Sequence, residues 1–346
     1  MFALLGRVSS QLLGSRNLNP SVLPSYDPLA HGWSWTSPWF RFDATWYVGI
    51  AQHGYHWGTL GSANTNFLPL YPLLIRAFQP LTLGSPWLAA WLISNVATLV
   101  ATILLWRWAA NKWDPGVALG AVLLVTVFPF SFFLVTPYTE SLFLALALAA
   151  FVFAEQDRWA AATLMAGLST ITRPVGIAVV VGLVVMALSR RNPRAALASL
   201  LGSIPILSFA VYLGVTFDQP LGFLAYHSSG WVPAHGGVWT TFASQFHTAL
   251  SPWDRVDAFL VFLFLISIPL VWTRVGASYA AFSLVALALP LVHGLVSMER
   301  YVTVVFPVIT SWSLWRLRWL QFALFAVSLL GLFLATTLFL TGASIF

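Results

Sequence analysis

Cysteine is absent from the 346 residues. That excludes disulfides, zinc–thiolate sites and a thiol nucleophile. Charge is scarce as well. Lys, Arg, Asp and Glu make up 8% of the chain, where a soluble domain carries roughly 25%. With only ten acidic residues, each can be weighed singly as a candidate acid or base. The soluble-enzyme motifs are missing too: there is no Walker A loop, no GxGxxG after a strand, no GxSxG and no HExxH. No strand pattern or DxD-like metal site is present, as a soluble sugar-nucleotide enzyme would need. No internal repeat or inverted pair of halves stands out, which weakens a secondary-transporter reading. Residues 2–14 contain Arg7 and no adequate apolar core, so no cleavable signal peptide is read there.

What is there is apolar. The chain is 59% hydrophobic, with mean hydropathy +0.83. It reads as one all-α, polytopic integral membrane domain over residues 1–346. Eighteen tryptophans suit membrane interfaces, and the net charge of +6 suits topology rather than nucleic acid. A spanning helix needs about 20 apolar residues. Spans are expected at 86–106, 116–136, 141–155, 159–172, 174–189, 195–217, 255–273, 276–294, 301–315 and 319–341. Residues 67–83 carry three prolines and Arg76 and read as a membrane-surface helix. Residues 1–14 fall short of a span. They are expected to lie at the interface, or to be the remainder of a span that begins upstream.

Residues 159–189 admit two readings, two short helices or one long helix kinked at Arg173-Pro174. With two, the basic loops at Arg107/Lys112, Arg158, Arg190/Arg191/Arg194, Arg274 and Arg316/Arg318 share one side. The positive-inside rule favours that arrangement. Asp43, Glu140, Arg173, Asp218, Asp254, Asp257, Glu299 and Arg300 then collect on the extracytoplasmic side. Two long polar segments lie there, 15–85 and 218–254, the second with His227, His235 and His247. Ionisable groups concentrated at one membrane face point to chemistry at that face.

Asp43 sits among aromatics in Phe42-Asp43-Ala44-Thr45-Trp46-Tyr47. From spacing alone it reads equally as a general base toward a hydroxyl or as a helix N-cap. Glu140, in Pro137-Tyr138-Thr139-Glu140-Ser141, is the second candidate catalytic acid. Its bland alternative is a first-turn acid that complements a helix dipole. Arg173 precedes Pro174 in a re-entrant corner and suits bidentate phosphate binding. Glu299-Arg300-Tyr301 reads as a ligand site or as an internal Glu–Arg pair. Asp254, Arg255 and Asp257 read as a helix start with local pairing. Arg41, His53 and Tyr55 complete the polar set of the first loop. His53 and His56 are three apart, but no carboxylate completes a ligand set. No cofactor is indicated, and the sequence leaves a divalent metal open.

These segments, taken in order, resemble a known family. Phe42-Asp43, then Ile50-Ala51-Gln52-His53-Gly54-Tyr55, then Asn66-Phe67-Leu68-Pro69-Leu70-Tyr71-Pro72 resemble the first loop of PIG-V-type (GPI mannosyltransferase 2-like) enzymes. Pro137-Tyr138-Thr139-Glu140-Ser141-Leu142-Phe143, Thr172-Arg173-Pro174-Val175-Gly176 and Glu299-Arg300-Tyr301 follow in the same order. The resemblance implies a GT-C-type bundle of about 10–11 transmembrane helices, here a bacterial plasma-membrane member with its active site outside the cytoplasm. It implies a polyprenyl-phosphate sugar donor, usually of mannose, and inversion at the anomeric carbon. The partners implied are that donor, a glycolipid or lipoglycan acceptor, and membrane lipid. Mapped onto this chain, Asp43 takes the acceptor proton, Arg173 and Arg300 hold the donor phosphate, and Glu140 and His53 shape the site. Arg41, Tyr55, Glu299 and Tyr301 are placed in the substrate site. The alternative from another class is a flippase for a lipid-linked sugar, which would use the same arginines and aromatics without a base.

Overall fold

The computed structural model describes residues 39–57, 64–224, 252–292, 295, 297–315 and 318–340. The N-terminal segment 1–14 and the loop histidines 227, 235 and 247 lie outside the described residues. The described residues are mostly helical and include no strand. An apolar, proline-punctuated chain in lipid must satisfy its own backbone, and helices do so within each segment.

Two short helices come first, α1 (Asp43–His53) and α2 (Leu70–Phe78). They lie where the sequence places polar loop and membrane-surface helix. The antiparallel body follows: α3 (Pro86–Lys112), α4 (Pro115–Val127), α5 (Glu140–Glu155), α6 (Trp159–Thr170) and α7 (Ile177–Ser189). Next are α8 (Pro193–Leu200) and α9 (Ile204–Phe217), joined through a 3₁₀ turn, then α10 (Pro252–Arg274) and α11 (Ala277–Leu291). The described chain closes with α12 (Met298–Thr303), α13 (Phe306–Ser313) and α14 (Arg318–Leu340). Four segments among the described residues are long and apolar enough to cross a membrane: Pro86–Lys112, Pro193–Phe217, Trp253–Arg274 and Trp319–Leu340. Three shorter apolar helices, Pro115–Val127, Pro174–Ser189 and Ala277–Leu291, fill the body between them.

The choice at 159–189 falls to two short helices. Arg173 adopts an extended conformation (φ −147°, ψ 144°), as a residue before proline prefers. The chain turns back there. The turn is tight enough that a Cβ on Gly176 would lie 2.4 Å from the Ser169 carbonyl. Basic residues of several loops meet at the opposite end of the bundle. Lys112 Nζ lies 3.2 Å from Glu155 Oε1, and Arg190 donates to the Ala154 carbonyl at 2.8 Å.

One span is shorter than expected. The predicted helix 116–136 stops at Val127, because Phe128 is extended (ψ 143°) ahead of Pro129. Residues 128–139 form turns and one 3₁₀ segment, Ser131–Leu134. Non-helical carbonyls at this depth need donors. Polar side chains of α3 supply them. Ser94 Oγ donates to the Tyr138 carbonyl at 2.9 Å, Asn95 Nδ2 to that of Val135 at 3.1 Å, and Thr98 Oγ1 to that of Leu134. The predicted span 301–315 is likewise broken, into α12 and α13. Phe306, which opens α13, packs edge-on against Trp108 with ring centroids 5.3 Å apart.

Candidate active site

Four charged side chains from four places in the sequence meet at one end of the bundle. Arg300 Nη1 lies 2.5 Å from Asp43 Oδ2. Its Nε donates to Glu140 Oε1 at 2.7 Å. Arg173 Nη1 reaches that same Glu140 oxygen at 2.5 Å. The result is an alternating chain of Asp43, Arg300, Glu140 and Arg173, whose formal charges cancel. A buried ion needs partners with good geometry, and here each group has at least one.

The members of the chain differ in access. The Asp43 and Arg300 side chains are 12% and 11% exposed, whereas the Glu140 side chain is 0% exposed. A molecule approaching the cluster therefore meets Asp43 and Arg300 first. Glu140 lies behind them and holds both guanidinium groups on one oxygen. Its second oxygen, Oε2, has no hydrogen-bond partner.

Local structure aims each group. Asp43 is the first residue of α1, and the cap position belongs to Phe42, which makes no side-chain cap. The capping alternative for Asp43 is thereby removed. Phe42 sits in the left-handed region (φ 52°), uncommon for a bulky residue. Its ring packs against Phe339 of α14, with centroids 5.8 Å apart. Thr45 Oγ1 returns to the Phe42 carbonyl at 2.7 Å and fixes the turn. Glu140 opens α5. Arg173 stands at the corner between α6 and α7, its guanidinium 4.7 Å from the Tyr301 ring centroid. Arg300 lies in α12, over the ring of Tyr138 at 4.8 Å. Cation–aromatic contact of this kind holds a guanidinium in place.

The other residues named from sequence fall in three places. Tyr301 joins the cluster through Arg173. The Tyr138 hydroxyl donates to the backbone carbonyl of Arg41 at 3.0 Å, so Arg41 lies beside the cluster. Its side chain makes no ion pair among the described residues. His53 is exposed in the last turn of α1, ten residues from Asp43 and about 15 Å along the helix. Tyr55 donates to the Phe67 carbonyl at 2.7 Å and packs against Phe209. Glu299 does not pair with its neighbour Arg300. It faces α10, where its backbone N–H donates to Asp257 Oδ1 at 2.9 Å. The Glu299 and Asp257 carboxyl groups also lie against each other. Burial, with the Asp257 carboxyl beside it, pushes the Glu299 carboxyl well above the usual carboxylate range. The reading of Asp257 as a local helix-start pair is corrected accordingly, because its contact crosses from α10 to α12.

Sequence reasoning missed Tyr47, Thr139 and Asp257 as site neighbours. Tyr47 stands four residues after Asp43, hence on the same helical face. Its hydroxyl lies 3.1 Å from Thr139 Oγ1. Burial, helped by the carboxylates of Asp43 and Glu140, pushes this phenol above its ordinary value, so it stays a neutral hydroxyl. The periodicity of α1 was the available signal. Asp257 left none, since nothing local ties it to residue 299. No group of three or more potential metal ligands occurs among the described residues.

No characterised protein and no solved structure matches the chain. The sequence model of the mannosyltransferase (PIG-V) family matches residues 13–201, over half the chain. The match takes in Asp43, Glu140 and Arg173, three of the four charged groups, while Arg300 comes from beyond it. With the all-α membrane bundle, it establishes that the chain belongs to the PIG-V mannosyltransferase family.

Proposed function

We propose that this membrane glycosyltransferase moves a mannosyl group from a polyprenyl-phosphate donor to a hydroxyl of a lipid-linked or glycolipid acceptor. The reaction runs on the extracytoplasmic face and inverts the anomeric carbon. The observation that carries this reading is the Asp43–Arg300 pair at the accessible edge of the cluster. It sets a carboxylate that can take a proton next to a guanidinium that can take a phosphate. The gathering of Arg107, Lys112, Arg158, Arg190 and Arg274 toward the other end supports the orientation.

In the proposed mechanism the donor phosphate enters beside Arg300 and Arg173. Arg300 shifts hydrogen bonding from Asp43 to the phosphate, which frees the Asp43 carboxylate. The acceptor hydroxyl gives its proton to Asp43 as its oxygen bonds to the anomeric carbon. The bond from that carbon to the phosphate oxygen breaks on the opposite side. The electron pair leaves with the polyprenyl phosphate, and the arginines stabilise the charge that develops there. Glu140 holds the two arginines in place and exchanges no proton. General-base help of this kind is worth about 10²–10⁴-fold.

The test follows labelled mannose from polyprenyl-phosphate mannose into membrane lipids, with wild type and Asp43→Asn. Transfer by wild type and its loss in the folded variant are expected. Equal transfer by both proteins would remove Asp43 as base. No transfer by either, with donor movement across the bilayer unchanged by Asp43→Asn, would favour a lipid-linked sugar flippase.

A further inference from the structure

One cavity lies remote from the charged cluster. It has a volume of about 560 Å³ and opens between the last turns of α3 and α5, within the size of ordinary ligand pockets. Glu155 in its wall lies fifteen residues along α5 from Glu140, about 22 Å. The proposed transfer chemistry makes no use of this space.

Its lining has two characters. Leu104, Val152 and Phe153 make an apolar wall. Val100, one turn before Leu104 on the same face of α3, is 42% exposed, so the wall continues onto the outer surface of a spanning helix. The other character is cationic. Arg107 and Arg158 line the mouth together with the amides of Asn111 and Gln156. Neither arginine has a carboxylate partner among the described residues. The Arg158 guanidinium is held over the Phe153 ring at 4.6 Å.

The one carboxylate in the lining does not answer these two charges. Glu155 Oε1 already accepts from Tyr279 Oη at 2.6 Å, from Lys112 Nζ at 3.2 Å and from Trp108 Nε1 at 3.3 Å. The nearby Asp157 is engaged by Arg190 at 3.1 Å. An anion is therefore wanted at the mouth and an apolar chain along the wall.

We infer that the cleft between α3 and α5 is a binding site for an anionic phospholipid, its phosphate held by Arg107 and Arg158 and an acyl chain laid along Leu104 and Val100. A lipid fits better than a soluble phosphate because the apolar wall runs onto the helix surface that faces the bilayer. Basic pockets between helices at this membrane level are suited to anionic headgroups. The site goes beyond the proposed transfer reaction and does not depend on it.

Purified protein in neutral detergent gives the test. Thermal unfolding is followed while phosphatidylglycerol, phosphatidylcholine or inorganic phosphate is titrated in, and native mass spectrometry counts retained lipids. A ligand that binds the folded form raises the midpoint saturably. Phosphatidylglycerol should do so for wild type, and the apparent affinity should fall roughly tenfold or more in Arg107→Gln/Arg158→Gln, which removes two charge-assisted contacts. Arg191→Gln/Arg194→Gln removes equal charge from exposed positions of the same end and should bind as wild type does. Equal weakening in that second pair would reduce the effect to general surface attraction and overturn the site. An equal response to phosphatidylcholine, or a full response to inorganic phosphate, would overturn it as well.

Discussion

Arg300 and Asp43 are 257 residues apart in the chain, and their side chains meet at 2.5 Å. The contact ties the first described helix to one of the last, and one guanidinium answers two carboxylates. Nη1 faces Asp43 and Nε faces Glu140. Lysine offers a point charge and no such fork. Arg300→Lys should therefore lose most of its transfer activity, about tenfold or more, while keeping the charge. Mannose transfer in membranes checks this, and activity within twofold of wild type would contradict it.

Glu140→Gln tests the buried carboxylate. It leaves Arg173 and Arg300 without the carboxylate oxygen they share. Removing one partner of a buried ion network costs about 3–5 kcal/mol. Asp43→Asn, whose side chain is 12% exposed and has one ion partner rather than two, should cost less stability yet cut transfer by about 10²–10⁴-fold. Denaturation of both variants alongside transfer separates holding the site from performing the chemistry. Equal stability loss would erase that distinction.

Asp257 is expected to act through Arg300. It accepts the Glu299 N–H and so fixes the start of the helix that carries Arg300. Asp257→Ala leaves that buried donor unpaired, at about 1–3 kcal/mol. If the effect is positional, a double cycle with Arg300→Lys will be non-additive in transfer rate. Strict additivity would make Asp257 a stability residue only.

Gly176→Ala should disrupt the Arg173 corner. The new Cβ would lie 2.4 Å from Ser169 backbone atoms, so the corner must open and the arginine move off Glu140. A fall in transfer with a lowered unfolding midpoint is expected. A variant with wild-type activity would show that the corner tolerates displacement.

The sequence went further for the site than for its wiring. Asp43, Glu140, Arg173 and Arg300 could each be named because a charge in an apolar chain stands out and the motifs come in family order. Charge asymmetry also separated α6 from α7. Pairing was a different matter. Glu299 beside Arg300 suggested a neighbour pair, but helix geometry points consecutive side chains to different faces, and Arg300 found partners on α1 and α5. His53 and Tyr55 belong to the same motif as Asp43 but lie at and just beyond the far end of α1, since a helix carries residues ten apart away from each other. Ser94, Asn95 and Thr98 were legible only as polar residues in a span. Their purpose depends on where Pro129 stops the preceding helix, which hydropathy does not report.

The cancelling charges of the four-residue cluster bear on what an incoming donor must bring. Two carboxylates and two guanidiniums leave no net charge for a counter-ion to neutralise. A phosphodiester that enters makes the sum negative in surroundings that solvate charge poorly. In the proposed reaction Asp43 then gains a proton from the acceptor while the phosphate gains a charge by leaving. The sum therefore stays at one negative charge through the transfer, and the cluster regains neutrality when the polyprenyl phosphate leaves and Asp43 gives up its proton.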